Sequence, residues 1–223
     1  MAVSEGVKRD LTQLTGLGND RVKVIYNPAA RGIGINTSLP PETKNDLWGG
    51  NPGKCIISIG SFKKQKNFKL LIESFALLSV EIKATLIILG EGPLREDLEK
   101  QVSDLNLSHL VYLPGFAKDP SPWLLTADLF VLSSDWEGLP TVLIEALDCG
   151  LPVVSTDSPS GPSEILEGGK WGILVPLNNS EELLKGIKES LNSNHDKNAL
   201  MSRAEKFSVQ NISTNYLQYF KLI

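Results

Sequence analysis

The sequence is poor in the residues on which several kinds of chemistry depend. Two histidines, His109 and His195, and two cysteines, Cys55 and Cys149, occur in 223 residues. Neither histidine sits in a metal-ligand pattern, and no HExxH, CxxC or strand-following DxD is present, so metal-dependent chemistry finds no support. Two thiols in apolar surroundings make no disulfide framework and point to a reducing compartment. Basic charge is also short: 22 Lys and Arg against 26 Asp and Glu leave a formal charge of −4. That balance argues against nucleic-acid or anionic-membrane binding driven by bulk charge. No apolar run approaches the ~20 residues of a membrane span, and the opening MAVSEGVKRD has no signal-peptide core. The chain reads as cytosolic. GxGxxG and GxxxxGK[ST] phosphate loops are missing, as are internal repeats and low-complexity tracts.

What remains is an ordinary globular composition, 41% hydrophobic and 22% charged, in a chain long enough to bury a core. Short β-branched runs alternate with longer amphipathic ones. The runs predict strands at Val22–Tyr26, Cys55–Gly60, Ala84–Gly90, Leu110–Leu113, Leu129–Ser133, Pro152–Thr156 and Gly172–Val175, several of them apolar on both faces. Between them fall predicted helices Lys66–Leu78, Pro93–Leu105, Ser121–Ala127, Pro140–Cys149 and Pro162–Glu167. Ser180–Leu191, Lys197–Phe207 and Val209–Phe220 follow. Alternation of this kind implies an α/β fold, a Rossmann-like parallel sheet with helices on both faces. Asn36–Gly53, rich in Pro and Gly, reads as a loop or linker. Residues 4–20 read as a short amphipathic helix with a stop signal at Gly16-Leu17-Gly18-Asn19.

Ligands of open parallel sheets sit beyond the carboxyl ends of the strands. Four glycine-bearing turns fall there: Gly60 to Lys66 with three lysines, Gly90-Glu91-Gly92-Pro93-Leu94, Gly115-Phe116, and Glu137-Gly138-Leu139-Pro140. Pro140 predicts a helix start, so the N–H groups of Leu139, Thr141 and Val142 would face outward, where the macrodipole favours an anion. Glu145 then lies roughly 7 Å along the axis at ~1.5 Å per residue, while Glu137 stays in the loop. Two carboxylates bracketing a diphosphate-binding helix end suit a nucleotide sugar. Each piece has a plainer reading, as a solvated lysine cluster, a tight turn or a carboxylate complementing a dipole, and specificity comes from the combination.

Together these residues resemble the donor-binding half of a retaining glycosyltransferase of the GT-B fold, family 4 (glycosyl transferases group 1). The family's E-x7-E element matches Glu137 to Glu145, its diphosphate turn Gly60 to Lys66, and its G-x-G-P-L turn Gly90–Leu94. Its L-x-G-F segment matches Leu113–Phe116, its C-G-x-P-V-V element Cys149–Val154, and its P-x-G-x-x-E-I loop Pro159–Ile165. The resemblance implies that Glu145 accepts from ribose hydroxyls and Glu137 from the transferred sugar. Lys66 and the N–H groups of Leu139, Thr141 and Val142 would hold the diphosphate beside Gly60, Ser61 and Gly138. Gly92, Pro93, Leu94 and Phe116 would border the base. Glu137 and Lys66 are the catalytic candidates, no metal or other cofactor is implied, and the donor is expected to be a UDP-sugar.

Two departures from the family pattern bear on function. Ser61 stands where the family usually has Arg, exchanging a planar charged fork for one hydroxyl, unless Lys63 or Lys64 compensates. The chain also aligns with only the second half of the family. The resemblance therefore assigns residues 1–21 to an acceptor-domain helix and the interdomain crossing, 22–208 to the donor domain, and 209–223 to a helix packing toward the acceptor half. That half would come from a missing N-terminal domain or a separate chain, and peripheral membrane association would run through it. The isolated chain is then expected to bind donor without efficient transfer. A non-catalytic interaction module or decayed remnant is the alternative, favoured by Ser61 and opposed by Glu137, Glu145 and Lys66. An epimerase of similar fold is disfavoured by the Glu-Gly-x-Pro turn.

Overall fold

The computed structural model describes residues 1–223 apart from Pro41, Asn51, Pro52 and Ile223. Six parallel strands, β1 (Lys54–Ile59), β2 (Ala84–Leu89), β3 (Val111–Gly115), β4 (Leu129–Leu132), β5 (Val153–Thr156) and β6 (Ile173–Val175), form one sheet in the order β3-β2-β1-β4-β5-β6. The order reverses between β1 and β4, which pair through Ile56 with Leu129 and Ile57 with Phe130. A crevice opens at such a switch point because the flanking crossovers leave in opposite directions.

Successive strand residues face opposite layers, as the pleat requires. Ile57, Ile87, Leu89, Phe130 and Leu132 join one core, and Ile56, Leu86, Ile88, Leu129 and Val131 the other. Helices α4 (Phe68–Glu81), α5 (Arg95–Asp104) and α9 (Ser180–Asn192) cover the second core. The first is covered by α6 (Ser121–Thr126), α7 (Thr141–Asp148) and α10 (Lys197–Glu205). At the N-terminus lies α1 (Glu5–Thr15), capped by Ser4 and ended by left-handed Gly16. Short helices α2 (Ile33–Asn36) and α3 (Thr43–Leu47) precede the sheet, α8 (Pro162–Ile165) follows β5, and α11 (Val209–Tyr219) comes last.

Three sequence expectations need correction. Val22–Tyr26 is not a sheet strand: its only ladder contact among the described residues is the bridge of Val24 to Ala2, so the run has one short partner and no sheet. The first predicted helix starts later, because Lys64–Lys66 forms a 3₁₀ turn and Asn67, left-handed at φ 42°, caps α4 by accepting from Leu70 N–H. The supposed linker Asn36–Gly53, of which Pro41, Asn51 and Pro52 lie outside the described residues, contains α3 and a buried Trp48. The Trp48 indole N–H donates to Thr126 Oγ1 at 3.0 Å, so this segment seals one core. Among the described residues no helix is long and apolar enough to cross a membrane.

Trp48→Ala should destabilise the protein by about 3 kcal/mol or more, the range for emptying a buried aromatic site. Urea unfolding followed by circular dichroism measures it. A change near zero would mean that the segment is the exposed linker its composition suggests.

Candidate functional site

The turns after β1 and β4 meet across the switch point. Lys66 Nζ lies 2.6 Å from Glu137 Oε1, with both side chains largely buried at 13% and 7% exposure. Ser134 Oγ donates to the same oxygen at 2.7 Å, and Gln65 Nε2 approaches the other at 3.4 Å. The backbone is tied as well: Asp135 N–H donates to Gln65 carbonyl at 2.9 Å, and Ser133 Oγ to Lys66 carbonyl at 2.8 Å. Thr156 of β5 donates to Ser134 carbonyl at 2.6 Å. Ser133, Ser134, Ser155 and Thr156 are all buried, giving a polar layer beneath the crevice. The Lys66 methylenes lie over Gly60, where an added Cβ would meet Cε at 3.0 Å.

Pro140, expected from sequence to be the first helical residue, is instead the N-cap of α7 with ψ 91°, so the helix starts one position later. The unpaired donors survive that shift. Among the described residues the N–H groups of Leu139, Thr141 and Val142 have no acceptor, while Leu143 N–H is satisfied by Pro140 carbonyl. The loop after β5 lies against this turn. Gly161, at φ 93°, leaves no room for a side chain, since a Cβ would stand 2.4 Å from Pro140 Cδ. In α8, which follows Gly161, Glu164 accepts from the N–H groups of Glu5 and Gly6 at 2.8 and 3.2 Å. Helix α1 is thereby fixed beside Gly138, whose nearest neighbours are Val7 and Val3.

Two carboxylates one turn apart on α7 have opposite environments. Asp148 is buried and saturated: it accepts from the backbone N–H groups of Arg31, Gly32 and Ile33 at 2.7–3.1 Å. Glu145 is half-buried and has no hydrogen-bond partner among the described residues. Burial is the main cause that raises its pKa, with the neighbouring Asp148 adding and Arg31 opposing. A partly desolvated carboxylate without donors is disfavoured in its charged form.

A cavity of about 320 Å³ joins the ends of β1, β2 and β3, lined by Gly60, Ser61, Gly90, Glu91, Phe116, Ala117 and Pro120 among others. Phe116 is 78% exposed there. Gly92 supports the turn by lying against the Phe62 backbone. Pro93 is exposed and outside the lining, and Leu94 faces a second cavity of about 310 Å³ with Phe62, Lys63 and Lys64. Neither Lys63 nor Lys64 lines the cavity beside Ser61. Sequence reasoning missed Ser134, Gln65, Arg31 and Arg95. A pair of serines ending an apolar strand three residues before Glu137 was the available signal for the first of these. Among the described residues no group of three or more His, Cys, Asp or Glu is placed to hold a metal ion.

The family model described as glycosyl transferases group 1 matches residues 46–207. The chain belongs to that family. It is 33% identical over 221 residues to the N-acetylgalactosamine-N,N'-diacetylbacillosaminyl-diphospho-undecaprenol 4-alpha-N-acetylgalactosaminyltransferase of Campylobacter jejuni, covering 97% of this chain and 58% of that protein. To the lipopolysaccharide core biosynthesis glycosyltransferase LpsE of Rhizobium meliloti it is 34% identical over 168 residues, 73% of this chain and 48% of the relative. The chain thus spans about half the length of the curated relatives it matches. In fold it resembles a glycosyltransferase from Rickettsia africae, with TM-score 0.88 at 18% identity over 99% of this chain and 62% of the other. Anabaena HepE in complex with UDP gives TM-score 0.85 at 23% identity over 100% and 63%.

A carboxyl whose folded pKa is raised binds its proton more tightly in the folded chain. Stability is therefore lost as pH rises from the unfolded value, about 4.3, through the folded one. Glu145→Gln should melt at or above the wild-type temperature at pH 7, with the difference vanishing near pH 4. Calorimetric scans across that range test this, and a lower melting point for the variant at pH 7 would show that the carboxylate is engaged in a stabilising contact.

Proposed function

We propose that this chain grips the nucleoside diphosphate of a sugar donor, most simply a UDP-sugar, for retaining, metal-independent transfer of a hexose-type sugar. The observation that carries the reading is the polar set around one crevice left unpaired among the described residues: three N–H groups before and at the start of α7 and the Glu145 carboxylate. Unsatisfied donors and an unsatisfied acceptor side by side cost stability and are what a diphosphate next to a ribose would satisfy. The names of relatives support it, since the Campylobacter protein is a sugar transferase and the Anabaena structure holds UDP. We further propose that the acceptor side of the cleft comes from residues outside this chain, and that lipid-linked or polysaccharide acceptors at the cytoplasmic membrane face are reached through it.

In this reading the base lies in the cavity at Phe116, Glu145 accepts from the ribose hydroxyls, and the diphosphate meets Leu139, Thr141 and Val142. Lys66 moves from Glu137 to the phosphate, which frees Glu137 Oε1 to accept from a hydroxyl of the sugar. As the glycosidic bond breaks, charge grows on the departing diphosphate. The helix end and Lys66 stabilise it without a divalent ion.

Titration of the chain with UDP should give saturable binding, and Ser61→Arg should tighten it about tenfold, equivalent to about 1.4 kcal/mol for an added phosphate contact. Isothermal calorimetry measures both. No binding at millimolar UDP or GDP by a folded sample would sink the donor reading. Wild-type binding that fails at millimolar ligand but is restored by Ser61→Arg would identify a decayed site, the second reading that Ser61 favours.

A further inference from the structure

Arg95, the first residue of α5, takes no part in the donor grip described above, yet it joins three strand ends. Its Nε donates to Glu91 Oε2 at 2.8 Å and its Nη2 to Glu91 Oε1 at 2.5 Å. Its Nη1 donates to Glu99 Oε1 at 2.7 Å and to the Leu113 carbonyl at 3.2 Å. The guanidinium carbon lies 5.3 Å from the centroid of the Phe62 ring. One side chain therefore links the turn after β1, through Phe62, to the turn after β2, through Glu91, and to β3 itself, through Leu113.

Stability does not account for this arrangement. Glu91 and Glu99 are about half exposed, and exposed pairs at i,i+4 contribute little. The fork-to-fork geometry instead fixes direction. Glu91 forms a wall of the cavity at Phe116, and its Oε1 lies 3.2 Å from where a Cβ on Gly115 would stand. The carboxylate is thus laid flat on the end of β3. Its backbone is held too, since Phe62 N–H donates to the Glu91 carbonyl at 2.8 Å.

Resting on the donor reading, we propose that Arg95 is a positioning residue that sets base selectivity by holding the Glu91 carboxylate back against β3. A carboxylate only accepts. Uracil presents one ring N–H flanked by two carbonyl oxygens, which a free carboxylate would repel. Guanine presents a ring N–H beside an amino group and would be accepted by both oxygens at once. With both oxygens drawn to Arg95, Glu91 cannot turn into the cavity, and uracil is tolerated. Released, it favours guanine. Arg95 thus acts against the wrong base as much as for the right one.

The test is calorimetric titration of the full chain with UDP and GDP in four forms: wild type, Arg95→Ala, Glu91→Ala and the double variant. The expected result is a UDP-to-GDP affinity ratio at least tenfold lower in Arg95→Ala, with the shift absent in the Glu91→Ala background. Glu91→Gln, which keeps the side-chain shape, guards against a misfolded alanine variant and should gain no affinity for GDP. Equal losses for both nucleotides in Arg95→Ala, or a ratio shift that persists without Glu91, would overturn the proposal while leaving the donor site intact. Absence of any nucleotide binding by the wild type would overturn both.

Discussion

The Lys66–Glu137 ion pair, set across the point where the strand order reverses, is the contact on which the crevice depends. The two crossovers at β1 and β4 diverge there, so nothing in the sheet itself joins the turns that follow these strands. The pair joins them, at 2.6 Å and largely out of water. Removing a charge from water costs several kcal/mol unless hydrogen bonds replace its hydration. Ser134 and Gln65 supply part of that replacement to Glu137. The serines and threonine ending β4 and β5 therefore belong to the site as much as the charged residues do. An apolar residue at 134 would leave the Glu137 oxygen with the lysine alone.

Helix α7 separates structural from receptive polarity within a single turn. Asp148 closes its own account by accepting from three backbone N–H groups of the Arg31–Ile33 segment, and so anchors the chain that enters α2. Glu145 has the same charge and is half-buried, but its carboxylate has no donors among the described residues. At the other end of the same helix, donors stand without acceptors among the described residues. A protein selected only for stability would pair or remove such groups. Their coexistence with a saturated carboxylate nearby shows that the local fold can satisfy a buried acid and has not done so at Glu145.

Much of this was legible in the sequence, and the reasons differ by element. Six strands could be read because strands covered on both faces are short apolar runs. The order of those strands could not, because parallel pairing joins residues far apart in the chain and leaves no local pattern. Asn36–Gly53 was misread because proline and glycine speak for turns while the decisive fact, Trp48 donating to Thr126, lies between segments 78 residues apart. Lys66 was assigned to a helix because nothing local announces that Asn67 will adopt φ 42° and start α4 itself. The motif residues Glu137, Glu145, Gly60 and Lys66 were visible as a set. Arg95 was not, because an arginine four residues after a glutamate is ordinary until the fold lays both on the end of β3.

Charge balance around Ser61 carries a further consequence. The two lysines that could have replaced a missing arginine line the neighbouring cavity, with Phe62 and Leu94, and neither lines the cavity beside Ser61. One lysine remains at the crevice, and Glu137 already occupies it. In the proposed donor reading, a diphosphate competes with this internal carboxylate for Lys66, and the helix end contributes alongside it. Lys66 leaves Glu137 for the phosphate on binding in that reading, and its hold strengthens as charge develops on the leaving group. Interactions that strengthen between ground state and transition state raise turnover, and interactions equal in both do not. The loss of an arginine that would grip substrate and product alike is, on that ground, compatible with a working site.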